Sequence, residues 1–191
     1  MCLPLRGGAV SVQHEPQRRI PMSWEEYCRL PEKPKAEWVD GVVVVIPPAA
    51  GRHSYTAVNL AAVLKSSLPD LKVLSQGGVA LPRNRRRIPD LMVVRAVHTG
   101  LWAEEPPVLV VEILSPSTRR EDLVRKFGEY AEGGIGQYWV VDLDVREVEV
   151  FGLTGDHYES LLVLDQTHPS GEIAVGEHGV VRLDLAELFD G

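Results

Sequence analysis

The stretch Val108–Leu114 reads VLVVEIL, six apolar residues with one carboxylate, Glu112, among them. Such a run predicts a central strand buried on both faces, so other elements must cover the sheet on either side. The carboxylate then needs a reason. An ionised acid buried without a partner costs several kcal/mol, so Glu112 must be paired, protonated, metal-bound or open to a cleft. The same argument applies to Asp90, which follows Pro89 and enters the apolar run Leu91, Met92, Val93, Val94.

If those two strands are neighbours, both carboxylates can sit on one face near a sheet edge. A pair of hard oxygen ligands with room for water is what Mg²⁺ or Mn²⁺ prefers. Alternatively, each acid pairs with an arginine, of which Arg83–Arg87 and Arg119–Arg125 offer seven. At this stage both readings stand.

Around this centre the local signals give an order of elements. Residues 1–21, with Gly7, Gly8 and Pro16, show neither a strand nor a helix period, and a mobile tail is expected there, with one domain over 22–191. Ser23 followed by Glu26 is a capping-box spacing for a short helix to about Leu30. In AEWVDGVVVVI, Asp40-Gly41 supplies the tight turn of a hairpin. From His53 to Leu68, Ala57, Ala61, Leu64 and Leu68 recur at helical spacing. Strands are expected at Lys72–Leu81, Ile88–Arg95 and Val108–Leu114. A second helix opens at Thr118 with Glu121 as its box partner, carries Leu123, Phe127, Tyr130 and Ala131 as its stripe, and stops at Gly133-Gly134. QYWVVDLDVREVEVFG reads as two strands about a turn and His157–Leu164 as another; the remainder is turn-rich with a helix near Asp184–Phe189. The expected architecture is α/β or α+β, one mixed sheet flanked by helices.

Composition limits the function. The chain has 191 residues, 45% hydrophobic and 25% charged, which excludes collagen, coiled coil and wholesale disorder. Two cysteines, Cys2 and Cys28, make no disulfide framework or zinc spacing, and the longest apolar run is broken by Pro47 and Pro48, so a reduced, soluble, cytoplasmic protein is expected. The net charge of −7 is uneven: residues 142–191 hold 12 acids and two bases, leaving 18 bases and 15 acids before them. A local basic surface compatible with phosphate therefore coexists with an acidic tail. The other histidines, His14, His98, His157, His168 and His178, show no ligand spacing.

Lys126 connects the second helix to the acids. At about 100° per residue from Leu123, Phe127 lies at about 40°, Tyr130 at about 340° and Lys126 at about 300°, whereas Arg125 at about 200° points outward. Lys126 thus borders the buried stripe, on a helix that leaves the end of the Glu112 strand through a short link. A lysine snorkelling at the stripe's edge is the alternative.

Pro89-Asp90, Glu112 with the following LSPST, then an arginine, Asp122-Leu123, Lys126, Tyr130 and QYWVVD together resemble the Uma2 family of the PD-(D/E)xK restriction-endonuclease-like superfamily. The likeness runs from about Met22 to Phe151 and takes in Trp24-Glu25-Glu26-Tyr27, Glu37 with Asp40-Gly41, and His53. It implies a restriction-endonuclease-like fold binding Mg²⁺ or Mn²⁺ and hydrolysing phosphodiester bonds, with DNA as partner. Carried onto this chain, it makes Asp90 and Glu112 metal ligands, the Ile113 carbonyl a third, and Glu37 a further acid near the site. One position departs: the superfamily lysine two residues after the Glu is Leu114 here. Lys126 is the expected replacement and Arg119 the reserve. His53, Arg87, Arg119 and Gln137 are expected to line the substrate cleft. A nuclease-fold binding or regulatory protein without turnover is the alternative, motivated by Leu114 and the acidic final third. Exposed β edges favour a homodimer.

Overall fold

The computed structural model describes residues 18–30, 35–115, 119 and 121–190, with only the backbone of Asp122. The expected tail up to residue 17, the cap at Thr118 and Arg120 lie outside the described residues.

Asp40 and Gly41 adopt φ values of 49° and 82°, the left-handed pair of a two-residue hairpin. They join β2 (Ala36–Val39) to β3 (Val42–Val45). On the far side of β3 lies β1 (Arg19–Pro21), paired antiparallel with Val42–Val44. Residues 19–21, expected in the tail, therefore belong to the fold. Three residues are too few to show a period, and pairing with β3 sets their place. In α1 (Trp24–Cys28) the Ser23 hydroxyl accepts from Glu26 N–H while the Glu26 carboxylate accepts from Ser23 N–H, the predicted capping box.

The helix α2 (Gly51–Ser67) buries Leu60 and Leu64. The single strand expected over Lys72–Leu81 is two, β4 (Lys72–Ser75) and β5 (Gly78–Leu81), because Gln76 turns left-handed at φ 56°. Gly77 follows, where a Cβ would stand 2.4 Å from Met92 Cε, so the end of the Met92 side chain would have to shift to admit one. The basic run forms β6 (Arg85–Arg87), followed by β7 (Leu91–Val94), β8 (Trp102–Ala103) and β9 (Leu109–Ile113).

Residues Glu121–Lys126 wind as a π-helix before α3 (Phe127–Glu132). The 100° step holds for α-helix only. Leu123, taken as part of the buried stripe, is accordingly 39% exposed, while Tyr130 and Ala131 are buried. Then come β10 (Gln137–Asp142), β11 (Glu147–Thr154), β12 (His157–Leu164), β13 (Ser170–Ala174), β14 (Val180–Asp184) and α4 (Leu185–Phe189).

The strands form two six-stranded sheets and a ribbon rather than one sheet. The first sheet has the order β1-β3-β2-β6-β5-β8 and the second β12-β11-β10-β9-β7-β4, with β9 and β10 parallel at the centre. The break at Gln76 sends consecutive strands to different sheets, a partition no local pattern encodes. One face of the second sheet packs Trp139, Val111 and Leu109 against α2, α4 and β14. Its other face packs Val110, Met92 and Tyr138 against α3 and the first sheet, and the site lies on this side. The first sheet's outer face carries a small cluster of Ala36, Trp38 and Val43 beside α1. The fold is mixed α+β in one unit, as expected, with β9 buried along its whole length.

Candidate active site

β2 alternates, so Ala36 and Trp38 turn outward to α1 while Glu37 faces the interior. The pairing of Trp38 with Arg86 brings Arg87 alongside. Arg87, fully buried, donates to three carboxylates: Nη1 to Glu37 Oε2 at 2.8 Å, Nε to Glu129 Oε2 at 2.7 Å and Nη2 to Glu121 Oε1 at 2.8 Å. Burial by itself would lower the guanidinium's pKa, but the Glu37 charge and the bonds to Glu129 and Glu121 overcome it and hold the group above its ordinary value. The Ile88 N–H donates to the other Glu37 oxygen at 2.9 Å. Against the burial that would raise it, the charges of Lys126 and Arg87 keep Glu37 below the usual carboxylate range.

Glu112 projects from the middle of β9 to the same interior. Its Oε1 accepts from Lys126 Nζ at 2.8 Å and from the Tyr130 hydroxyl at 2.6 Å. Lys126 and Tyr130 stand four residues apart and share a helix face. Burial, then the Glu112 charge, push the Tyr130 phenol well above its ordinary pKa, so it remains a donor. Lys126 Nζ also lies 3.8 Å from Glu37 Oε1, joining an acid of the first sheet to one of the second.

The register Leu91↔Val111 between β7 and β9 carries Asp90 to the level of Glu112 one step further. The Ile113 N–H fixes it there, donating to Asp90 Oδ2 at 2.8 Å. His53, in the first turn of α2, reaches the same oxygen through Nε2 at 3.0 Å. Burial would raise Asp90, but the His53 bond and charge, with the Ile113 amide, hold it below the ordinary aspartate value. His53 is raised in turn: burial opposes its charge, and the bond to Asp90 prevails.

Five of the predicted residues therefore converge: Glu37, His53, Asp90, Glu112 and Lys126. Ile113 belongs to the cluster through its backbone. Arg87 is beside it but has no exposed surface and three carboxylates on its guanidinium, so it serves as a buried counter-ion and not as a cleft-lining cation. Gln137 lies on the opposite face of the second sheet, where its amide donates to Ala174 O at 2.8 Å and accepts from Trp139 Nε1 at 3.0 Å. That corrects its expected place in the cleft: strand alternation puts residues 137, 139 and 141 away from Glu112. Arg119 is half-exposed and pairs with Asp142 at the end of β10.

Sequence reasoning missed Lys35. It stands two residues before Glu37 and is half-buried, and the charges of Asp90, Glu112 and Glu37 act on it. Burial lowers its pKa despite those acids. The period of two along β2 was the available signal. Glu121 and Glu129 were also missed, since only the buried Arg87 gives them a role.

Among the described residues no three His, Cys, Asp or Glu side chains are grouped to hold an ion alone. The donor set still suits a hard cation. Mg²⁺ is commonly held by one or two carboxylates with waters and substrate phosphate completing the shell. Asp90 Oδ1 accepts no hydrogen bond among the described residues, because His53 and Ile113 both engage Oδ2.

Residues 24–185 match the profile of Uma2, described as "Putative restriction endonuclease". The chain belongs to the Uma2 family. The match extends the resemblance seen in the sequence past Phe151 to Leu185, the start of α4. Among solved structures, the chain is similar to a protein titled "a putative nuclease belonging to DUF820" from Anabaena variabilis ATCC 29413. The two are 20% identical with a TM-score of 0.72, covering 89% of this chain and 98% of that one. At this identity the likeness establishes the fold. Comparison with curated proteins gives no match. Among the described residues no helix is long and apolar enough to cross a membrane.

Proposed function

We propose that this Uma2 protein is a metal-dependent endonuclease that hydrolyses phosphodiester bonds in DNA. The observation that supports the reading is the register that sets Asp90 opposite Glu112 on adjacent strands, with the Lys126 amine on Glu112. Asp90, Glu112 and the Ile113 carbonyl would hold Mg²⁺ or Mn²⁺. Such an ion supplies charge neutralisation at the phosphate and a more acidic water. The chain's own groups do the rest. His53 orients Asp90, Tyr130 holds Glu112, and Lys126, lying between Glu112 and Glu37, positions the attacking water at the phosphorus.

The test is cleavage of plasmid and single-stranded DNA with Mg²⁺, Mn²⁺ or EDTA. Activity is expected in the metals, abolished by EDTA and by Asp90→Ala or Glu112→Ala with the fold retained. Cleavage that survives both substitutions overturns the assignment. One observation favours a second reading, a nuclease-fold protein that binds without turnover: Lys126 is already held by Glu112, a prospective ligand. Chelator-insensitive DNA binding with no cleavage would decide for it. The same reading takes the cytoplasm as location and a homodimer as assembly, the latter because β1 and β8 are outer strands of the first sheet.

A further inference from the structure

Three cations meet the acids of this cluster, and two of them are held fast. Arg87 is fully buried among three carboxylates, and the Lys126 side chain is 7% exposed with its amine on Glu112. Neither can meet a phosphate without giving up a buried ion pair. Lys35 differs on each count. Its carbonyl accepts from Ile46 N–H at 3.0 Å, which continues the β2–β3 ladder one step and fixes an extended backbone there. The alternation of β2 then places Lys35 on Glu37's face, towards the cluster and not towards α1. The side chain is half-buried and makes no ion pair or hydrogen bond among the described residues. Its charge is nonetheless felt at His53, as those of Asp90, Glu112 and Lys126 are felt at Lys35.

We infer that Lys35 is the residue whose ammonium contacts the scissile phosphate, while Lys126 acts between Glu37 and Glu112. This rests on the nuclease reading and deepens it. A half-buried lysine on this face, with no ion pair among the described residues, can meet an incoming anion without giving up an existing partner. It also offsets the charge of the three acids, which would otherwise repel a phosphodiester.

The experiment follows binding of a fluorescein-labelled DNA duplex in EDTA by anisotropy across a KCl series. It is paired with Mg²⁺-supported cleavage of the same duplex. The full chain is compared with Lys35→Met, Lys35→Arg and a control, Lys65→Met, at an exposed site in the last turn of α2. A lost phosphate contact reduces the slope of log affinity against log salt by about 0.9. Lys35→Met is expected to show that loss and to slow cleavage on the order of a hundredfold, the usual effect of removing one charge-stabilising donor. Lys35→Arg restores the slope, and the control changes neither quantity. Circular dichroism confirms folding, with Lys35→Gln as the substitute should the Met variant unfold. An unchanged slope with cleavage intact overturns the role of Lys35 and leaves the nuclease reading standing. A reduced slope in a protein that cleaves nothing supports the phosphate contact and removes the nuclease reading. A wild-type chain that binds no DNA removes both.

Discussion

Lys126 Nζ lies 2.8 Å from Glu112 Oε1, both side chains at most 7% exposed, at the contact of the π-helical turn with the central strand β9. Removing one member of such a pair leaves a buried charge uncompensated and costs about 3–5 kcal/mol. Because the Tyr130 hydroxyl still reaches the same oxygen, Lys126→Met is expected at the lower end, about 3 kcal/mol. Adding Glu112→Gln should recover most of that. Urea unfolding of the two single variants and the double variant measures the coupling.

Arg87 should behave as a structural ion. With Arg87→Met, Glu37 and Glu129, each 4% exposed, lose their shared cation, and a stability loss of about 3–5 kcal/mol is expected. The salt dependence of DNA binding should stay at the wild-type slope in folded protein. A reduced slope would show a phosphate contact in place of a buried clamp.

The His53–Asp90 pair gives a pH dependence. His53 is raised above 6.5, so its contribution is full below pH 6.5 and disappears as pH rises through the higher folded value. Asp90 is lowered below 3.8, so its contribution is present above pH 3.8 and disappears as pH falls through the lower folded value. The two shifts describe one interaction, greatest between those limits. Urea midpoints of wild type against His53→Ala at about pH 5.5 and about pH 8.5 should differ more at the lower pH. An equal difference at both would mean that His53 is neutral throughout.

Metal binding should appear as stability without substrate. At ten times its dissociation constant a single ion bound only by the folded chain adds about 1.4 kcal/mol. Mg²⁺ is expected to raise the thermal midpoint of wild type, EDTA to reverse the rise, and Asp90→Asn to abolish it. Differential scanning fluorimetry across an Mg²⁺ series makes the measurement.

What the sequence disclosed was local. The Asp40-Gly41 turn and the Ser23–Glu26 box are decided by residues within four of each other, and both formed as read. Glu112 and Asp90 stood out because a charge in an apolar run is anomalous wherever the run lies. What escaped notice depends on distant partners. Arg85–Arg87 carries no apolar residue, yet becomes a strand because β2 and β5 pair on either side. The π-helix altered the angular step on which the helix faces were reckoned, so Leu123 was misplaced while Lys126, next to the α-helical part, was not. Lys35 was overlooked because only its period-two relation to Glu37 marks it; Asp90 and Glu112, whose charges act on it, come from the other sheet.

Lys126 touches Glu37 in the first sheet and Glu112 in the second. The two layers are thereby pinned at the very point where chemistry would occur. Any tilt of one against the other must stretch the same few contacts, and a substrate drawing Lys126 aside would loosen the joint between them.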